Sequence, residues 1–114
     1  KVVLIATGSE VEVALATQAA LEAKGIGADV VSMPCTEVFD AQPAAYKADL
    51  LPRDALIVSI EAGVTLGWER YTGLDGLNIG IDRFGASAPA EALYDYFGLT
   101  AEKIVPRILE KLSN

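Results

Sequence analysis

The sequence predicts an α/β fold, a three-layer α/β/α sandwich built on a mainly parallel sheet of about four strands. Three observations carry this expectation. Short β-rich apolar runs recur at Val2–Ala6, around Val30–Met33, at Ala55–Ile60 and at Leu77–Ile81, with helical segments between them. The first run ends in Thr7, Gly8 and Ser9 directly before a helix start, and the third ends in the similar Glu61, Ala62 and Gly63. Strands alternating with helices require right-handed crossovers, which place helices on both faces of a parallel sheet.

Val2–Ala6 is continuously apolar, as suits a strand covered on both faces. Ser9 and Glu12 form a capping box, in which the hydroxyl accepts from the Glu12 N–H and the carboxylate returns to the Ser9 N–H. Val11, Ala14, Leu15, Gln18, Ala19 and Glu22 then trace the i, i+3, i+4 path of a helix that Lys24 and Gly25 stop. The second strand contains Val30, Val31 and Met33 and ends at Pro34. A short helix is expected over Asp40–Leu51 through Pro43, then a buried strand over Ala55–Ile60. Leu66–Tyr71 predicts a short helix carrying Trp68 and Tyr71, and Leu77–Ile81 a weaker strand containing Gly80. Ser87, with Pro89 in the first turn, caps a helix that Gly98 ends. Thr100 caps a last helix to Leu112, which Pro106 should kink.

The expected strand order is 2-1-3-4, with the first strand central. A topological switch then falls between strands one and three, and Gly8, Ser9, Glu61, Ala62 and Gly63 surround the crevice at their carboxyl ends. Gly8-Ser9 at a helix start can offer N–H groups to an anion. The following Glu-Val-Glu supplies neither the second glycine of a dinucleotide motif nor the lysine of a P-loop, and Glu10 and Glu12 satisfy the helix dipole themselves. Structural capping is the expected role. Glu61 has the position of a general base, with Asp82 and Arg83 as partners, but a strand-end carboxylate more often holds a neighbouring turn. Cys35 has no histidine or cationic cluster to lower its pKa, so an ordinary thiol is expected.

Composition narrows the chemistry further. The 114 residues carry 9 Lys+Arg against 16 Asp+Glu, a net charge of −7 without a basic cluster, which disfavours nucleic acid and anionic membranes. With 52% hydrophobic residues the chain has enough apolar matter for one core, and no apolar run reaches the roughly 20 residues of a membrane helix. The sequence contains 0 histidines, which removes Ser-His-Asp and Cys-His catalysis and most catalytic zinc sites. It opens at Lys1 inside an apolar run without an initiator methionine, so residues 1–114 are expected to be a single domain of a longer chain. Trp68, Tyr71, Tyr94, Tyr96 and Phe97 fall in short, loop-bound segments. The run Gly63–Gly76, with Trp68, Tyr71 and Leu74, is the candidate contact surface for another domain or subunit.

In series, ATGSEVEVAL, VVSMP followed by FD, SIEAG, W-x-x-Y-x-G-L-x-G and FGASAPAEALYDYFGLT resemble the C-terminal domain of bacterial-type transketolases, over essentially the whole chain. The C-terminal domains of the pyruvate dehydrogenase E1 β-subunit and of deoxyxylulose-phosphate synthase share the fold and match SMP and W-x-x-Y less well. The resemblance implies a cytoplasmic, homodimeric enzyme of the pentose phosphate pathway that moves a two-carbon ketol unit from a ketose phosphate to an aldose phosphate. It implies thiamine diphosphate and a divalent cation (Mg or Ca) in the full-length enzyme and none in this domain. No catalytic, cofactor-binding or metal residue is carried over, because those belong to the other domains. The resemblance further implies a structural role in assembly, with the other domains of the same chain and the homodimer partner as neighbours. It also implies one antiparallel edge strand contributed by chain preceding Lys1. A regulatory small-molecule or nucleotide-binding module at the Gly8–Ser9 crevice is the alternative reading of the residues.

Overall fold

The computed structural model describes residues 1–8, 10–33, 36–61, 67–80 and 99–113. Along the chain these form β1 (Val2–Ala6), α1 (Glu10–Glu22), β2 (Ala28–Ser32), α2 (Thr36–Asp40), α3 (Ala44–Leu50), β3 (Leu56–Ile60), α4 (Glu69–Thr72), β4 (Leu77–Ile79) and α5 (Ala101–Leu112). The strands make one sheet in the expected order, β2-β1-β3-β4, and every pairing is parallel.

All five residues of β1 are 0% exposed, the consequence of a central strand whose two faces are both covered. Alternation along the pleat sends its side chains into two cores. Val2, Leu4 and Ala6 join Val58, Ile60 and Ile79 beneath Ala14 and Leu21 of α1 and Ile104, Val105 and Ile108 of α5. Val3, Ile5 and Ile57 meet Met33 and Phe39 on the opposite face, with Leu50, Leu51, Trp68 and Tyr71 packed against them. These are the two helical layers of the sandwich.

Several local expectations are corrected. The buried face of α1 is Glu10, Ala14, Thr17 and Leu21, while Leu15 stands 49% exposed. Alanines and valines surround this helix, so apolar spacing alone does not choose a face. Gln18 is not part of the apolar seam either: its Nε2 donates to the Ala28 carbonyl at 2.8 Å. The helix expected over Asp40–Leu51 is the shorter α3, and α2, which was not expected, precedes it and shares only Asp40 with that range. Pro43 excludes helical geometry from the residue before it, so α2 ends at Asp40 and α3 starts beyond Pro43, which is its N-cap at φ −58° and ψ 150°. The short aromatic helix begins at Glu69, not Leu66, and leaves Trp68 as its N-cap. Thr100 is extended at the start of α5, but its hydroxyl makes no capping bond. The Lys103 and Ile104 N–H groups bond to its carbonyl at 3.0 and 2.8 Å. α5 runs on through Pro106, which sits on the exposed side opposite Ile104, Val105 and Ile108. Ser9, Cys35, Ala62, Gly63, Ile81, Asp82, Arg83, the Ser87–Gly98 segment and its Tyr94, Tyr96 and Phe97 lie outside the described residues.

Candidate functional site

Ala6 and Ile60 are register partners at the carboxyl ends of β1 and β3, so the next residues, Thr7 and Glu61, flank the switch point. The Thr7 hydroxyl donates to a carboxylate oxygen of Glu61 across it. Glu61 is fixed from the other side as well, because its N–H continues the ladder to the Ile79 carbonyl at 3.0 Å. Gly8 turns the chain at φ +54°, a left-handed conformation that glycine adopts without a side-chain clash. Glu10 N–H then bonds to the Thr7 carbonyl at 3.0 Å and Val11 N–H to the Gly8 carbonyl at 3.3 Å. Glu10 is buried and Glu12 exposed. Of the five crevice residues expected from the sequence, the structure places Gly8 and Glu61 together at the switch point. Thr7, expected only to close its strand, is the hydroxyl that ties the two strand ends, a pairing between residues 54 apart that local pattern does not reveal. Chemically this is a donor on a carboxylate acceptor joining two loops.

The second region is built from α2 and α4. Tyr71 packs edge-on to Phe39, with ring centroids 5.6 Å apart at 77°, and tilted to Trp68 at 5.5 Å and 56°. Its hydroxyl donates to Asp40 Oδ1 at 3.0 Å, while Arg70 Nη2 reaches Asp40 Oδ2 at 3.1 Å. The Arg70 guanidinium carbon stands 5.4 Å from the Tyr71 ring centre, within cation–π range. Trp68 and Tyr71 are therefore packed against the core rather than displayed. Beyond them the chain turns through Gly73 at φ +79°, and Leu74 is fully exposed at 101%. The far side of this loop is anchored: Asn78 Oδ1 accepts from Ser59 Oγ at 2.8 Å and from Thr72 Oγ1 at 3.0 Å. Asp40 was missed from sequence because its partners lie on a helix about thirty residues away.

An open parallel α/β sheet with the Thr7–Glu61 bond across its switch point, and with an aromatic shelf beside the exposed Leu74, defines a parallel α/β domain. Comparison gives this class a family. Residues 1–100 match the model of the transketolase-like TK C-terminal domain. The transketolase of Aquifex aeolicus is 48% identical over 111 residues, which cover 96% of this chain and 16% of that one. Among solved structures, the transketolase from Leishmania mexicana superposes with a TM-score of 0.85 at 45% identity, covering 93% of this chain and 15% of that one. A transketolase variant from Pichia stipitis gives a TM-score of 0.90 at 37% identity over 98% of this chain and 16% of the other. The chain belongs to the transketolase C-terminal domain family. It spans about one sixth of the length of these relatives.

Proposed function

We propose that this chain is the non-catalytic assembly domain of a cytoplasmic transketolase. The full-length enzyme then transfers a two-carbon ketol group between a ketose phosphate and an aldose phosphate, and this domain supports its homodimer. The observation that carries the reading is the family match over residues 1–100 in a chain that spans only one sixth of its relatives. Two further features support it. The crevice carboxylate Glu61 is engaged by Thr7, and the exposed apolar residue beside the aromatic shelf, Leu74, suits contact with another domain or subunit.

The described residues of this chain do not make a site for the divalent cation. The chain contains 0 histidines, and among the described residues no group of three or more Asp, Glu, Cys or His side chains could hold a metal ion. Thiamine diphosphate and the divalent cation are assigned to the rest of the enzyme. The test is ketol transfer from a ketose phosphate to an aldose phosphate, assayed with the 114-residue chain and with the full-length protein, both supplied with thiamine diphosphate and Mg. Turnover by the full-length protein alone is expected. Turnover by the 114-residue chain would overturn the non-catalytic assignment.

A further inference from the structure

Among the aspartates of the sequence, Asp75 alone is followed by glycine. An aspartate carboxyl carbon lies one ring closure away from the nitrogen of the next residue, and a glycine has no side chain to shield that nitrogen. Asp75–Gly76 therefore has a chemistry open to it that bulkier neighbours hinder at the other aspartates. In a folded chain the reaction is governed by how firmly the carboxylate and the nitrogen are held.

Neither is held firmly here. Asp75 is exposed, and among the described residues no hydrogen bond or ion pair engages its carboxylate. Asp29 and Asp40, by contrast, are bound by Lys1 and by Tyr71 with Arg70. Leu74 and Asp75 are the central residues of a turn closed by the Gly76 N–H on the Gly73 carbonyl at 3.3 Å, longer than the usual range for such a bond. Glycines bracket the turn on both sides, and they rotate more freely than any other residue. One weak hydrogen bond is what must open for the nitrogen to turn toward the carboxyl group.

We propose that Asp75–Gly76 is a site of spontaneous aspartate isomerisation. The Gly76 nitrogen attacks Cγ of Asp75, the N–Cγ bond forms, and the Cγ–OH bond breaks as the N–H proton leaves with the hydroxyl as water. Water then adds to the main-chain carbonyl carbon of the succinimide and breaks its bond to the Gly76 nitrogen, which keeps its bond to Cγ. The chain now runs through Cβ and Cγ, the former main-chain carbonyl is a free carboxylate, and neither mass nor oxidation state has changed. The backbone is longer by one methylene group immediately before Gly76. The fold has no slack there, because a Cβ on Gly76 would already clash with the carbonyl oxygen and Cβ of the buried Thr72. The product therefore loosens the clasp in which Asn78 Oδ1 accepts from Thr72 and Ser59.

The test ages the 114-residue chain at physiological temperature and pH, in buffer where circular dichroism shows it folded and in denaturing urea. Isoaspartate is located by peptide mapping and by labelling with an isoaspartate methyltransferase. It is expected at residue 75 ahead of every other aspartate, and in the folded chain at a rate within about tenfold of that in urea, the most that opening one hydrogen bond costs. Asp75→Glu, which needs a larger and more slowly closing ring, should form none. Asp75→Asn, whose side-chain carbonyl is uncharged, should react faster and release ammonia. The isomerised fraction, separated by chromatography, should unfold at lower urea than the unreacted fraction. Isoaspartate no faster at residue 75 than elsewhere, a folded rate more than about tenfold below the rate in urea, or equal urea midpoints for the two fractions would overturn the proposal. None of these outcomes bears on the assembly-domain reading, which rests on the family match.

Discussion

The Tyr71 hydroxyl donates to one carboxylate oxygen of Asp40 at 3.0 Å, and Arg70, its neighbour on α4, reaches the other at 3.1 Å. The two contacts differ in worth. Arg70 is 62% exposed, so solvent screens its ion pair to below about 1 kcal/mol. Tyr71 is half-buried between Phe39 and Trp68, and its bond to a charged acceptor is worth about 1–2 kcal/mol. Tyr71→Phe should therefore cost more stability in urea denaturation than Arg70→Ala does through its charge, a ranking that 0.5 M salt should sharpen. Equal losses for both variants in salt would contradict it.

Gly76 is required by close approach. A Cβ there would stand 2.3 Å from the Thr72 carbonyl oxygen and 2.5 Å from the Thr72 Cβ, both far inside contact distance. Thr72 cannot yield easily, because it is buried and its hydroxyl is bonded to Asn78. Gly76→Ala should lower stability by about 1–3 kcal/mol, the usual cost of overpacking. Gly27 meets nothing within 4 Å and has no positive φ, so Gly27→Ala should change stability by less than about 1 kcal/mol. Thermal unfolding of the two variants side by side checks the contrast.

What local pattern reveals and what it hides can be read from these residues. β1 was legible because a short apolar run rich in β-branched residues and closed by Thr7, Gly8 and Ser9 suits a strand buried on both faces. The strand order followed from connection rules rather than from any single residue. The buried face of α1 was hidden, because alanines and valines fall on more than one side of the helix and the buried set includes the polar Glu10 and Thr17. Pro43 marked a helix start correctly but not the separate α2 before it, whose short length gives too little periodicity to read. In the crevice, the positions of Gly8 and Glu61 followed from strand ends. The Thr7 bond depended on a rotamer choice made across the sheet.

That bond carries a prediction of its own. Glu61 is half-buried, so removing its hydroxyl donor leaves a carboxylate short of a partner where water has limited access. Thr7→Val should cost about 1–3 kcal/mol, and Thr7→Ser, which keeps the hydroxyl, should recover most of it. Urea denaturation measures both. A Thr7→Val chain as stable as the parent would mean that the contact does not hold the two strand ends together.

Leu74 separates folding from assembly. It is fully exposed on a loop fixed by Gly73, Gly76 and the Thr72–Asn78 bond, so its side chain gains nothing from folding of this chain. Leu74→Asp should leave the stability of the 114-residue chain within about 0.5 kcal/mol of the parent, as for other surface substitutions. Under the assembly reading, the same leucine is buried when domains and subunits come together, and burying one leucine contributes about 1.5–3 kcal/mol. In the full-length protein Leu74→Asp should then weaken subunit association about tenfold or more, seen by analytical ultracentrifugation as dissociation at higher protein concentration. Unchanged association in the full-length protein would remove Leu74 from the contact surface. A large loss of stability in the 114-residue chain would instead place it in the fold itself.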